Sequence, residues 1–287
     1  MSDRRSIFIT GSSAGFGRDT ALALAARGHT VFATMRGVDG KNAEVAAELR
    51  RQASENNWAL HVLDVDVTDE NSVNAAVEEA VRAGGGLDVV INNAGVGTFG
   101  LQEAFPVEQI QQVFDVNVFG VMRVNRAVLP HMRERGRGHI IYVSSGLGRF
   151  VFPFVGPYAG TKWALEAMAE ASAYELVDEG IDTTIVQPGA FGTTFGANMM
   201  QAREGQRLET YGPTRAKFTA MAEAFSTVGE GQDPQMVVDA LVNLAESEAG
   251  NRPLRLPVGE DVKPVVTPMN ELQAEAQTAI MAHFGFD

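Results

Sequence analysis

Seven short apolar runs, at residues 6–10, 30–34, 60–65, 87–92, 139–143, 182–187 and 254–258, punctuate the chain. They are rich in Val and Ile, and most lack the polar alternation of a half-exposed strand, so they read as strands of a buried sheet. Between them apolar residues recur every third or fourth position, the period of a helix with one buried face. That pattern predicts helices over 41–56, 72–83, 107–132, 158–179 and 237–248. A further helix follows Gly17, with Thr20, Ala21, Leu22, Leu24, Ala25 and Ala26 on one wide face. Gly28 takes the left-handed position that ends it.

Strands alternating with helices predict an α/β fold: one doubly wound domain, a parallel sheet of seven strands, and helices on both faces. No Pro/Ser-rich linker, charge block or internal repeat divides residues 1–260. Residues 194–231 break the alternation just past a strand end, and place Met199, Met200, Phe218, Met221 and Phe225 among polar residues. Ligands of such sheets bind at strand carboxyl ends, so this insertion reads as a lid, or else as a surface excursion packed on itself. The tail, 261–287, reads as part of the same domain, as a helix against a partner subunit, or as a partly ordered end.

Composition narrows the chemistry. Of 287 residues, 45% are hydrophobic and 21% charged, as in ordinary globular proteins. A formal net charge of −13 disfavours nucleic acid and anionic membranes. The absence of cysteine excludes disulfides, thiolate catalysis and zinc–thiolate sites. The five histidines are scattered, with no carboxylate–histidine cluster to hold a metal. No apolar leader opens the chain and no run reaches membrane-spanning length, so a cytoplasmic location is expected.

The stretch from Ser144-Ser145 to Lys162 draws the chemical reading. It starts at a strand end and finishes where a helix begins, with Tyr158 and Lys162 four residues apart on one helical face. A hydroxyl, a phenol and an amine converging across an apolar loop make a proton-transfer site. Gly11, Gly15 and Gly17, with Ser13 and Phe16 in the same turn, lie between the first strand and its helix. Glycines there let backbone N–H groups approach a pyrophosphate at the positive helix end. About twenty residues on, the second strand ends in Thr34-Met35-Arg36, with no carboxylate to accept a ribose 2′-hydroxyl. Arg36 offers a cationic fork to a 2′-phosphate and Ser13 a further donor, so NADP(H) is expected over NAD(H).

In order along the chain these motifs resemble the short-chain dehydrogenase/reductase family, in its compact single-domain branch with a Rossmann fold. Thr10-Gly11-x-x-x-Gly15-x-Gly17 looks like its cofactor loop, and Asp64 with Val65 like its adenine contact. Asn92-Asn93-Ala94-Gly95 resembles a motif that steadies the sheet and lines the cofactor. Asn117, Ser145, Tyr158 and Lys162 match its catalytic residues. Pro188-Gly189-Ala190-Phe191-Gly192-Thr193 resembles the segment that holds the nicotinamide carboxamide. The resemblance implies hydride transfer between a carbonyl or alcohol and the cofactor, with Tyr158 as acid or base. Lys162 is implied to lower the phenol's pKa, to hold the nicotinamide ribose and to join a water relay to Asn117. Ser145 is implied to bind the substrate oxygen.

The segment Val31–Arg36 and Pro153-Phe154 is closer to 17β-hydroxysteroid dehydrogenase-like members. One departure is Gly160-Thr161 where the family usually has Ala-Ser before the lysine. Leu147, Phe150, Phe152, Phe154, Phe191, Phe195, Val96 and Phe99 suggest an apolar or aromatic substrate, with Ser145, Leu147, Phe152 and Phe195 its contacts. Arg149 reads as a loop arginine facing either solvent or a substrate carboxylate, and Trp163 as core or subunit interface. Helices 107–132 and 158–179 carry the expectation of a homodimer or homotetramer. A redox-neutral epimerase or dehydratase, and a dinucleotide sensor without chemistry, are the competing functions.

Overall fold

The computed structural model describes residues 4–227, 229 and 231–285. The chain runs β1 (Ser6–Ile9), α1 (Gly15–Ala26), β2 (Thr30–Met35), α2 (Ala43–Asn56), β3 (Leu60–Asp64), α3 (Glu70–Gly84) and β4 (Val89–Asn92). It continues through β5 (Thr98–Phe99), α4 (Val107–Phe114), α5 (Gly120–Arg135), β6 (Gly138–Val143), α6 (Gly156–Leu176) and β7 (Ile181–Pro188). Last come α7 (Thr194–Ala197), β8 (Met200–Gln201), α8 (Gly212–Thr227), α9 (Gln235–Glu246), β9 (Arg255–Val258) and α10 (Lys263–His283). Seven strands form one parallel sheet in the order β3-β2-β1-β4-β6-β7-β9. This is the doubly wound, Rossmann-type α/β fold expected from the alternation.

Strand period two divides the core. Ile7, Ile9, Val31 and Ala33 point to the side covered by α1, α2 and α9, where Leu24, Leu49 and Leu241 close on them. Phe8, Phe32, Val90, Ile140 and Tyr142 point to the other, against Val73 of α3, Val124 of α5 and Leu165 of α6. β1, β2, β4 and β6 are buried along their whole length, which explains their unbroken apolar runs. Tyr142 keeps its hydroxyl satisfied there: Asn125 Nδ2 donates to it at 2.7 Å, and Asn92 Nδ2 donates to Asn125 Oδ1 at 3.0 Å.

The chain reverses its direction of winding between β1 and β4, so the two turns that follow these strands face each other across a crevice. Between α4 and α5 a wide π-helical turn, Asp115–Phe119, breaks the helix predicted as continuous. It carries Asn117 inward. Such single wide turns inside helices recur at functional sites.

Residues 194–231 form α7, β8, a 3₁₀ turn at Gly205–Thr210, and α8, with Val228 and Glu230 outside the described residues. They do not pack only on themselves. β8 pairs in parallel with β5, a two-residue ladder too short to show as sequence periodicity. The buried Gln109 of α4 fixes it further, donating to the Gln201 carbonyl at 3.2 Å and accepting from Arg203 N–H at 2.9 Å.

The tail becomes α10 and docks on its own chain; Phe286 and Asp287 lie outside the described residues. Only Val266 of this helix is buried, so polar contacts hold it. Arg255 joins Glu166 at 2.9 Å and Glu170 at 2.7 Å, all three side chains nearly buried. Gln273 of α10 donates to Glu170 at 2.8 Å, and Asn270 to Gln187 at 2.7 Å. Arg149 is not a loop arginine facing solvent or substrate: it is 8% exposed and reaches back to the Met269 carbonyl. Trp163 lies at the surface of α6 rather than in the core. Among the described residues no helix is long and apolar enough to cross a membrane.

Candidate active site

Two turns make the floor of one end of a cleft of about 1670 Å³ that runs along the carboxyl ends of the strands. Thr10 Oγ1 accepts from the N–H groups of Asn93 and Ala94, both at 3.0 Å, and Asn93 Nδ2 donates to the carbonyls of Thr10 and Gly11. These bonds lock the turn after β1 to the turn after β4. Gly17 is required by that closeness, since a Cβ there would run into Asn93 Nδ2 and the Gly11 carbonyl. Gly11 itself sits at φ +71°.

The turn leads straight into α1, whose preceding residue Ala14 gives no side-chain cap and whose first turn holds no acid. Its first N–H groups therefore carry the positive end of the helix toward the cleft. Next to Gly15 there is open space where a side chain would sit. An uncapped helix end over an open glycine fits a pyrophosphate. Ser13, Phe16 and Arg36 line the same end of the cleft.

Asp64 does not join them. β3 ends at this residue, and its Oδ1 accepts from Gly37 N–H at 2.8 Å, away from the cleft. Asp66 lines the cleft instead, 3.7 Å from Arg36. A turn places it there, with Thr68 N–H and Oγ1 both donating to Asp66 Oδ1. Those bonds and the nearby Arg36 and Lys41 outweigh its partial burial and hold its carboxyl below the usual range. The run Leu63-Asp64-Val65-Asp66-Val67-Thr68 offers two Asp-Val pairs, and the threonine two residues after Asp66 was the available signal. Lys41, also in the lining, went unread because a helix was expected to begin there; α2 starts two residues later.

At the other end Ser145 ends β6's exit and Tyr158 and Lys162 lie on the first turns of α6; all three line the cleft. Lys162 is 5% exposed, its Nζ donates to the Val143 carbonyl at 2.8 Å and lies 5.7 Å from the centre of the Tyr158 ring. Burial lowers its pKa to about 8, with the Glu166 carboxylate acting in the opposite sense. Burial pushes the Tyr158 phenol up to about 12, with the Ser145 hydroxyl pulling it down. Tyr158 N–H donates to Thr98 Oγ1 at 3.1 Å, which ties α6 to β5.

Asn117 does not line the cleft. Its Oδ1 accepts from Val96 N–H at 2.8 Å, and its Nδ2 donates to the Val96 carbonyl at 2.9 Å and to Thr161 Oγ1 at 3.0 Å. The amide is used up in holding the turn after β4. Thr161 Oγ1 in turn donates to the Tyr158 carbonyl at 2.7 Å.

Pro188, Gly189, Phe191 and Thr193 line the cleft opposite the glycine turn, with the Phe191 and Phe16 rings edge-on at 5.8 Å. Val65, Asn93, Ala94 and Gly95 also line the cleft. Leu147, Phe152 and Phe195 are in the lining too, with Phe195 5.6 Å from the Tyr158 ring. Residues 194–231 add Met199, Phe218, Met221 and Phe225. Phe154 stands behind this wall, packed on Phe99 and Phe218. It is held at φ +69°, a left-handed conformation costing about 1–2 kcal/mol for a residue with a side chain. Its carbonyl accepts from Gly100 N–H at 2.8 Å, part of what holds it so.

The sequence model of the short chain dehydrogenases matches residues 5–204. An uncharacterized oxidoreductase of Bacillus subtilis, YusZ, is 34% identical over 91% of this chain and 91% of its own. The 3-ketodihydrosphingosine reductase of Bacteroides thetaiotaomicron is 40% identical over 67% of this chain and 66% of its own. Among solved structures, a gluconate 5-dehydrogenase from Burkholderia cenocepacia in complex with NADP and tartrate superimposes with a TM-score of 0.73 at 26% identity, covering 92% of this chain and 97% of its own.

Thr161, part of the departure noted in the sequence, is a fully buried hydrogen-bond relay between Asn117 and α6. Thr161→Val keeps the shape and leaves the Asn117 amide short of an acceptor, at a cost of about 1–3 kcal/mol. Thr161→Ser recovers most of it. Urea denaturation of the three proteins checks this, and equal midpoints for threonine and valine refute it.

Proposed function

The chain belongs to the short-chain dehydrogenase family, and on that premise we propose that it is an NADP(H)-dependent oxidoreductase. It reduces a ketone or aldehyde, or oxidises a secondary alcohol, on an apolar substrate. The observation that carries this reading is that Ser145, Tyr158 and Lys162 share one cleft with the uncapped end of α1.

A bound nicotinamide dinucleotide supplies the hydride for reduction or accepts it in oxidation. Gly11, Ser13, Gly15 and Phe16 would hold its phosphates at the end of α1, and Asp66, rather than Asp64, would meet the adenine beside Val65. Arg36, with Lys41 nearby, would meet a 2′-phosphate. Asn93–Gly95 and Pro188–Thr193 would flank the nicotinamide half. The NADP complex of the Burkholderia relative supports a nicotinamide dinucleotide as the cofactor.

Tyr158 stays protonated near neutrality, so it can deliver the phenolic proton to a substrate oxygen as negative charge develops there. Lys162, still largely an ammonium at that pH, stabilises the phenolate left behind. Ser145 donates from Oγ to the same substrate oxygen. Asn117 acts at one remove, keeping the turn at Val96 in place.

The lid-side wall of Phe99, Met199, Phe218, Met221 and Phe225 favours an apolar substrate. Among the described residues no charged side chain of the lid lines the cleft. The relative named for reducing a keto lipid base supports that class.

Tyr158→Phe is expected to lower turnover by about 10²–10⁴-fold with cofactor binding kept, assayed as cofactor oxidation with a panel of ketones. Wild-type activity in this variant ends the reading. Arg36→Ala is expected to raise the KM for NADPH by about tenfold or more and to leave NADH little changed; an equal effect on both removes the NADP(H) preference. The Lys162 ammonium is present below about pH 8 and lost as pH rises through that value. Ketone reduction at saturating cofactor should therefore decline above about pH 8, and a flat profile from pH 6 to 10 contradicts the role given to Lys162.

A further inference from the structure

Ala190 sits in the middle of the segment that follows β7, and side chains from far along the chain take both of its backbone polar groups. Its N–H donates to Asp261 Oδ2 at 2.9 Å, and its carbonyl accepts from Gln232 Nε2 at 2.8 Å. The two side chains belong to one assembly, because Gln232 Oε1 accepts from Glu260 N–H at 2.8 Å. Gly189 N–H donates to the Val258 carbonyl at 2.8 Å beside them.

The glycines show how closely these parts fit. A Cβ on Gly189 would collide with the Asp261 carboxylate, and one on Gly229 would press on the backbone of Phe191 and Gly192. Three segments thus meet: 189–193, the lid's exit at 229–232 excluding Glu230, and the approach to α10 at 259–261. Asp261 itself lines the cleft with Pro188 to Thr193.

Past Gly189, whose N–H makes the last bond to β9, no ladder holds the segment and its polar groups depend on other partners. A carboxylate accepting from a backbone N–H is a strong form of that bond. Gln232 and Asp261 both lie beyond residue 204, where the family match stops.

We propose that Asp261 and Gln232 are positioning residues that hold segment 189–193 in the shape that receives the nicotinamide end of the dinucleotide. The lid's exit and α10 are thereby coupled to cofactor binding. The coupling rests on the reading of 188–193 given under Proposed function.

Amide hydrogen exchange of the ligand-free protein tests the latch alone. Asp261→Ala should speed exchange across 189–193 about tenfold, and Gln232→Ala should do the same to a smaller degree. Fluorescence titration then tests the coupling. Asp261→Ala should weaken NADPH about fivefold while adenosine 2′,5′-bisphosphate, which lacks the nicotinamide half, stays within about twofold. Asp261→Asn should recover most of the loss, because its amide oxygen still accepts from Ala190 N–H. Unchanged exchange in both alanine variants overturns the latch. Equal weakening of both ligands, or an asparagine variant no better than alanine, overturns the positioning role. Wild-type protein that binds NADPH no more tightly than the adenosine fragment, with exchange still faster in Asp261→Ala, overturns the reading of the segment and not the latch.

Discussion

One buried ammonium organises the carboxyl edge of the sheet. Lys162 is almost wholly removed from water and given a backbone carbonyl, Val143, to donate to. Burial of a lysine is costly, and the lowered pKa shows the strain on its charged form. What surrounds it must therefore be polar, fixed and close. Gly95 is a neighbour, where a Cβ would crowd Asn117 Oδ1 and only touch Nζ, and the turn that carries Gly95 is held by the Asn117 amide. Asn117 is turned inward by the wide turn between α4 and α5, and Thr161 returns the connection to the helix that bears Lys162. In the proposed function, proton transfer at Tyr158 depends on this closed circuit.

The two halves of the cleft are built by different physics. The glycine end is backbone against backbone, with Thr10 and Asn93 tying two turns together and an uncapped helix end left over for an anion. The end built by residues 194–231 is ring against ring, with Phe99, Phe154, Phe218 and Phe225 packed edge-on or tilted at centroid distances of 5.1–6.4 Å. Beneath both, α10 is fastened by the Arg255–Glu166–Glu170 cluster and by two amide side chains. Removing one member of such a cluster strands a buried charge, so the cluster specifies where the helix docks more than it adds net stability.

How much could be read from sequence follows from how local each cause is. Buried parallel strands must be apolar throughout, so β1, β2, β4 and β6 were legible to within about two residues at each end. Gly11 and Gly15, and the four-residue spacing of Tyr158 and Lys162, are also local, and the structure brings them to one cleft, whereas Gly17 lies outside its lining, packed against Asn93 and the Gly11 carbonyl. Asp64 was expected at the cleft, which Asp66 lines instead, because two acids two residues apart look alike until the end of β3 separates them. Arg149 looked like a solvent-facing loop residue because nothing near it in sequence tells of Glu166, Glu170 or Met269. The pairing of β5 with β8 joins residues about a hundred apart through two residues on each side, too few to leave a period.

The sequence by itself determined the alternation of strand and helix, the parallel sheet, the glycine turn and the paired phenol and amine. Each of these is set by neighbours within a few residues, through backbone sterics, helical spacing or burial pattern. Only the tertiary structure decided which acid faces the cleft, that Asn117 spends its amide on Val96 and Thr161, and that Asp261 and Gln232 close on Ala190. Those are hydrogen bonds between polar groups far apart in the chain. Their partners are chosen by where the packed elements leave a buried or unpaired donor, which no local pattern records.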